Sequence, residues 1–298
     1  MPKETVVKLI TALCALFAAV ALFPIAAQAA DGGPAPFVQI VPHFEDGFIG
    51  VLYHHYSSGT GGTDFDFVRQ GGQDVLFPYQ RYSLDLVLGG HNRLTFLYQP
   101  LTISTRTVVG KNGTSAGNIV IDGTSFTNGL PLDVTYGFDF WRLSYLYDFS
   151  NSPSTVLGVG LSLQIRNASI VFTSVDQSPA ARAVSQNIGL VPILKIKAAH
   201  WFSPQLGLDL EADGFYASSA FFNGATKEFT GWIWDAALSA RTRFLPGTAA
   251  YLTVRTIGGG ASGSSAYSNV SATTTAPGTP TNNVLATMAV TLGVSLEQ

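Results

Sequence analysis

The sequence predicts an all-β fold, an antiparallel up-and-down transmembrane β-barrel of about ten strands, and three observations carry that prediction. Apolar and polar residues alternate with period two over stretches long enough to cross a bilayer as strands. Tight turns and long polar loops take turns along the chain. Mean hydropathy is positive, yet beyond the first thirty residues there is no apolar run of about eighteen residues able to cross as a helix.

Taken in order, ten strands are predicted over 48–56, 74–88, 93–109, 132–149, 155–172, 187–202, 206–217, 230–244, 250–257 and 283–297. The fifth shows the pattern most plainly. Leu157, Val159, Leu161, Leu163 and Ile165 share one face, and Gly158, Gly160, Ser162, Gln164 and Arg166 share the other. The tenth repeats it, with Val284, Met288, Val290 and Leu292 opposite Thr287, Thr291, Ser295 and Glu297. Tight connections follow the even strands at Gly89-Gly90-His91-Asn92, Asn151-Ser152-Pro153-Ser154, Ser203-Pro204-Gln205 and Pro246-Gly247-Thr248. Long loops follow the odd ones, near Gly62, Thr114, Ala180, Asn223 and Thr274. Short turns at one end, free loops at the other and an even strand count match an outer-membrane barrel with both termini in the periplasm.

Two strands change phase. In the fourth, Leu132, Val134, Tyr136, Phe138 and Phe140 lie on one face, and then Trp141, Leu143, Tyr145, Tyr147 and Phe149 take over the apolar side. A β-bulge near Phe140 is expected, since one extra residue flips the register and would keep a single apolar face. The third strand makes a similar change around Pro100 and Leu101. Tyr145, Tyr147, Phe149, Trp201 and Phe202 near tight turns, and Phe215, Tyr216, Trp232 and Trp234 near long loops, are expected to form two interfacial aromatic girdles.

The N-terminus sets the compartment. Lys3 and Lys8 precede an apolar stretch from Leu9, and Ala27-Gln28-Ala29 is an A-x-A cleavage pattern, so residues 1–29 read as a secretory signal. A short periplasmic segment over 30–46 and a barrel over 47–298 complete the domain plan. Cys14, the sole cysteine, falls in the signal and leaves no thiol or disulfide chemistry to the mature chain. Removing Lys3, Glu4 and Lys8 takes the formal charge from −3 to about −4, which argues against nucleic acid as a partner. Localisation is expected in the cell outer membrane of a Gram-negative bacterium, with membrane lipids, lipopolysaccharide and the barrel assembly machinery as partners, as a monomer.

Extending the alternation places Arg81, Asp85, Arg142, Asp148, Arg166, Lys195, Lys197, Asp209, Glu211, Asp213, Asp235, Arg241, Arg243, Arg255 and Glu297 on the side away from lipid. A hairpin closing on Ser203-Pro204-Gln205 sets Lys195 and Lys197 beside Asp209, Glu211 or Asp213. Balanced long charged side chains in a ten-stranded lumen predict a narrow, mostly plugged interior.

The C-terminus resembles the barrel-insertion signal of outer-membrane proteins at Thr291, Gly293 and Leu296, while Gln298 departs from its usual aromatic end. In strand number and length the chain is similar to the omptin proteases, which use aspartate pairs and an aspartate–histidine couple. Asp64 and Asp66 could mimic one pair, but the seventh strand offers Asp209, Glu211 and Asp213 with no histidine, so that reading is set aside.

His55 and Ser57, two apart on a strand, emerge on one face. The stretch His55-Tyr56-Ser57-Ser58-Gly59 resembles the histidine-x-serine-asparagine element of outer-membrane phospholipase A and the lipid A deacylases. That resemblance implies Ser57 as nucleophile and His55 as its base, with Ser58 at the asparagine position and no orienting acid identifiable. Gly113-Thr114-Ser115-Ala116-Gly117 matches G-x-S-x-G without a strand-to-helix elbow, and Gly258-Gly259-Gly260 lacks the lysine of a phosphate loop. Five scattered histidines give no metal-ligand spacing, and no cofactor is expected. The function expected is a non-enzymatic envelope barrel, either a narrow channel for ions or small solutes or a barrel with surface-binding loops. The alternative is a lipid-ester hydrolase using His55 and Ser57.

Overall fold

The computed structural model describes residues 37–110, 117–152, 154–218, 229–265 and 279–297. The signal peptide, Cys14, the G-x-S-x-G match, the loop centres at Thr114, Asn223 and Thr274, and Gln298 lie outside them.

The strands are β1 (Val38–Ser58), β2 (Phe65–Asp66), β3 (Leu76–Leu88), β4 (Asn92–Gln99), β5 (Thr102–Val108), β6 (Ile119–Ile121), β7 (Thr124–Phe126), β8 (Pro131–Asn151), β9 (Thr155–Ser174), β10 (Arg182–Trp201), β11 (Leu206–Ser218), β12 (Phe229–Leu245), β13 (Thr248–Ser265) and β14 (Thr279–Leu296). Each long strand pairs antiparallel with its sequence neighbour, and β14 returns to β1 with His43 opposite Ser295 and Ser58 opposite Thr281. The sheet therefore closes, which leaves no exposed edge. β4 and β5 form one stave of the wall, so the barrel has ten staves in up-and-down order. β6 and β7 make a separate small hairpin at the long-loop end.

The tight turns are where the sequence puts them. Gly89 and Gly90 both have positive φ (56° and 76°), a conformation that favours glycine, in the three-residue turn that leaves Leu88 opposite Asn92. Pro246-Gly247 joins β12 to β13 in the same economical way, with Leu245 opposite Thr248.

Three differences from the sequence reading have physical causes. β1 begins at Val38, so 38–46, expected as periplasmic segment, is strand, paired to β3 throughout and to β14 from His43 onward. Its alternation is blurred by Pro42 and by two charged residues, Glu45 and Asp46. β13 runs on to Ser265 through Gly258-Gly259-Gly260, because the stacked Trp232 and Trp234 rings lie across Gly258 and Gly260 and replace the missing side chains.

The third difference is the phase change. No bulge forms near Phe140: β8 pairs with β9 in unbroken register from Leu132 to Asp148, and a shift occurs only between Asp148 and Ser150. The even-numbered residues of β8 point inward throughout. What inverts is the chemistry of the two faces. From Trp141 onward the outside is apolar and the inside polar. From Leu132 to Phe140 the inside is apolar and the outside carries Asp133, Thr135 and Asp139. The stave β4/β5 inverts at the same level with no residue inserted, Gln99 facing Phe140 and Thr102 facing Gly137, while the Leu101 amide donates to the Asp139 carboxylate at 2.7 Å. A bulge does occur in β1, between Val51 and Tyr53, and it turns His54 and Tyr56 inward.

The outer surface is thus apolar only over the half nearer the tight turns, where Trp141, Leu161, Leu163, Ile165, Leu190, Leu194 and Leu292 stand exposed as a lipid-facing band. Tyr145, Tyr147, Phe149 and Phe202 rim it below, and Tyr216 and Trp232 above. Phe215 and Trp201 leave the expected girdles. Both have the inward register of Asp213 and Lys197, and Trp201 lies beneath the Arg243 guanidinium, 3.6 Å from its ring centre.

Candidate functional site

The inward-facing positions build two layers with opposite chemistry. In the half nearer the tight turns the polar face of each strand converges into a layer of ion pairs, whose largest cluster joins β1, β3, β8 and β10–β13. At its centre is Asp235, fully buried, which accepts hydrogen bonds from Arg81 and Arg142 at 3.1 Å each and from Arg255 at 2.7 Å. Arg142 also donates to Asp213 at 2.9 Å, and its guanidinium is held by Gln164. Lys195 reaches Asp213 at 3.1 Å and Glu211 at 3.3 Å, and Lys197 reaches Glu211 at 3.3 Å.

The hairpin pairing expected between β10 and β11 has a defined register, Lys195 opposite Asp213 and Lys197 opposite Glu211, while Asp209 turns to Arg241 at 2.7 Å. Arg93 links Asp85 (2.8 Å) and Asp148 (3.2 Å), and Arg241 and Arg243 share Glu297.

All fifteen charges assigned to the lumen face inward, fourteen of them within these ion-pair clusters. Arg166, the exception, lies higher and has no carboxylate partner among the described residues. Sequence reasoning missed Glu45, which bridges Arg81 and Arg255, because 38–46 was not read as strand. It also missed Arg93 as a bridge. A cavity of about 60 Å³ remains between Glu45, Arg81, Asp85, Arg142, Lys195 and Glu211, enough for a few waters.

The half nearer the long loops is filled with apolar side chains. Tyr136, Phe138 and Phe140 of β8, Phe172 of β9 and Ile103 of β5 meet Phe65 and Phe67 from the first long loop and Ile119, Ile121 and Phe126 from the β6–β7 hairpin. The loop folds back into the barrel because Asp66 caps its turn, accepting from the amides of Val68 and Arg69 at 2.9 Å. Thr105 and Thr107 of β5 then donate to the carbonyls of Gly71 and Gln70 at 2.6 Å. His54, fully buried, stacks on Phe67 at 3.9 Å and hydrogen-bonds Gln73 through Nδ1 at 2.9 Å.

His55 and Ser57 lie on the outer face, at the level where the apolar band gives way to polar residues. No hydrogen bond joins them. Instead His55 sits between two carboxylates, Asp64 at 3.2 Å from Nδ1 and Asp66 at 3.5 Å from Nε2, and stacks on Tyr53 at 4.5 Å. The acid missing from the sequence motif is thus supplied by the loop folding back, through the pairing of Asp66 opposite His55. Among the described residues no cluster of metal-binding side chains forms.

No protein-family model matches the chain, and no curated protein matches it. Among solved structures, the outer membrane protease OmpT of Escherichia coli aligns over 87% of this chain and 97% of its own, at 10% identity and a TM-score of 0.50. The chain has the fold of the bacterial outer-membrane β-barrels. Two other such barrels, OprG of Pseudomonas aeruginosa (9% identity, 87% and 96% covered, TM-score 0.33) and the toluene transporter TodX of Pseudomonas putida (8%, 89% and 91%, 0.31), align more loosely. At these identities the likeness is one of fold, and activity is argued from this chain's own residues.

Proposed function

We propose that the protein is a non-enzymatic barrel of the outer membrane with a sealed lumen, and that it acts at the cell surface through the rigid, folded end that carries the long loops. The filling of the lumen carries this reading. A solute entering from the loop end meets the aromatic plug, and one entering from the other end meets Arg81, Arg142, Lys195 and Arg255 already paired with Glu45, Glu211, Asp213 and Asp235. Opening a path would expose buried ions and apolar surface together, and both cost free energy. The wall above the lipid-facing band, polar outside and apolar inside, is built like a soluble β-barrel projecting from the membrane. This supports a surface role over the narrow-channel alternative. Export, lipid and lipopolysaccharide contact and a monomeric state belong to the same proposal. Single-channel recording after reconstitution in planar bilayers tests it: no stable conductance steps are expected, and discrete voltage-independent steps would overturn it.

A second reading rests on His55. It lies beside Ser57 on the outer face with a carboxylate at each ring nitrogen; to act as base to Ser57, Nε2 must exchange Asp66, 3.5 Å away, for the serine hydroxyl, with Asp64 at Nδ1 left as the orienting acid. Its test is release of fatty acid from phospholipid micelles, abolished in Ser57→Ala. Equal release by both proteins, or none by either, ends the hydrolase reading.

A further inference from the structure

Arg166 is the inward-facing arginine that the ion-pair network leaves out. On β9 it stands opposite Phe140 on one side and Gly189 on the other, at the level where the lumen turns from charged to apolar. The glycine is what gives the guanidinium room: a side chain there would begin 3.4 Å from Arg166 Nε. That Nε is buried and has no hydrogen-bond partner among the described residues. Arg166 borders a cavity of about 40 Å³ whose walls are Tyr136 and Phe138 on one side and Ile233, Ile257 and Leu285 on the other, with Gly259 and Ala261 adding little bulk. Asn283 also reaches this cavity.

A cation enclosed by aromatic and aliphatic side chains is stabilised best by an anion that brings its own apolar surface. We propose that this chamber binds a short-chain monocarboxylate, its carboxylate paired with Arg166 and its alkyl group against Phe138, Ile233, Ile257 and Leu285. The volume suits an acid of about two or three carbons and is too small for a sugar or a long acyl chain. A carboxylate is favoured over a spherical anion because the planar guanidinium presents parallel N–H donors that match two oxygens. The site holds whether or not the lumen conducts, since Arg166 is only partly buried and a small acid reaches it without crossing the ion-pair layer below.

The test uses the full mature chain refolded in detergent micelles, with sodium propionate as probe and saturation-transfer NMR as readout. Wild type should bind propionate saturably, and propionamide, the uncharged isostere, should bind about tenfold more weakly or worse, as loss of a charge-assisted pair requires. Arg166→Met should lose binding to the same extent. Ala261→Leu, which fills the chamber and leaves the charge intact, should weaken it as well and decides the matter if Arg166→Met does not fold. Absence of saturable binding to folded wild type, equal binding of propionamide, or unchanged binding in a folded variant overturns the assignment.

Discussion

Replacing Asp235 by Asn tests how much the barrel depends on its charge network. The substitution keeps the volume, so no cavity contributes, but it removes the negative charge shared by Arg81, Arg142 and Arg255 at 2.7–3.1 Å. Each arginine retains one carboxylate: Arg142 keeps Asp213 at 2.9 Å, and Arg255 and Arg81 keep Glu45 at 3.3 and 3.9 Å. The loss is therefore that of one uncompensated buried cation, about 3–5 kcal/mol, and not three times that. With a denaturant slope of about 2 kcal/mol/M, the urea midpoint of the micelle-folded protein should fall by about 2 M. The assay is tryptophan fluorescence against urea for wild type and variant, with reversibility checked by refolding. A drop below about 0.5 M would refute the reasoning, since it would mean that water in the lumen already solvates these charges.

Other predictions follow from separate parts of the wall. Gly258→Val should push the Trp234 ring off β13 and abolish the excitonic circular-dichroism couplet of the stacked Trp232–Trp234 pair, whose centroids are 5.0 Å apart, whereas a retained couplet would contradict that packing. At the loop end, Arg106 donates two hydrogen bonds to Asp133 and holds its carboxyl below the usual aspartate range. Stability from this pair is present above the ordinary carboxylate pKa and is lost as pH falls through the lowered one. Carboxyl-carbon NMR should show Asp133 titrating below an ordinary aspartate and returning to the usual range in Arg106→Ala. A midpoint unchanged by that substitution would disprove the pairing. Lys195→Ala should leave bilayers as silent as wild type, because the Arg142–Asp213 contact still closes the lumen; new conductance steps would show that Lys195 is part of the seal.

Much of the wall was legible because period two leaves no freedom: once Leu161 faces lipid, Gln164 and Arg166 must face inward, and every charge so placed does. What could not be read are the features set by contacts distant in sequence. The inversion at Phe140 looks locally the same whether a bulge restores one apolar face or the strand leaves the membrane. Only the Ile119, Ile121 and Phe126 side chains packed from another segment show that the apolar side stays inside. His55 offered a serine two residues away but no acid, since Asp64 and Asp66 reach it through a loop that folds back on β1. Glu45 was lost with the start of β1, where a proline and adjacent charges mask the alternation. The Gly258–Gly260 run reads as a loop because its packing surface belongs to tryptophans on the neighbouring strand.

The central claim is that the barrel leaves the bilayer at the level of Trp141, with polar wall above and lipid-facing wall below. Single cysteines at Thr135 and Leu143, both outward on β8, test it directly in intact cells. A membrane-impermeant maleimide should label Thr135→Cys readily and leave Leu143→Cys untouched, while a lipophilic maleimide labels both. Protection of Thr135→Cys, or labelling of Leu143→Cys by the impermeant reagent, would contradict the account.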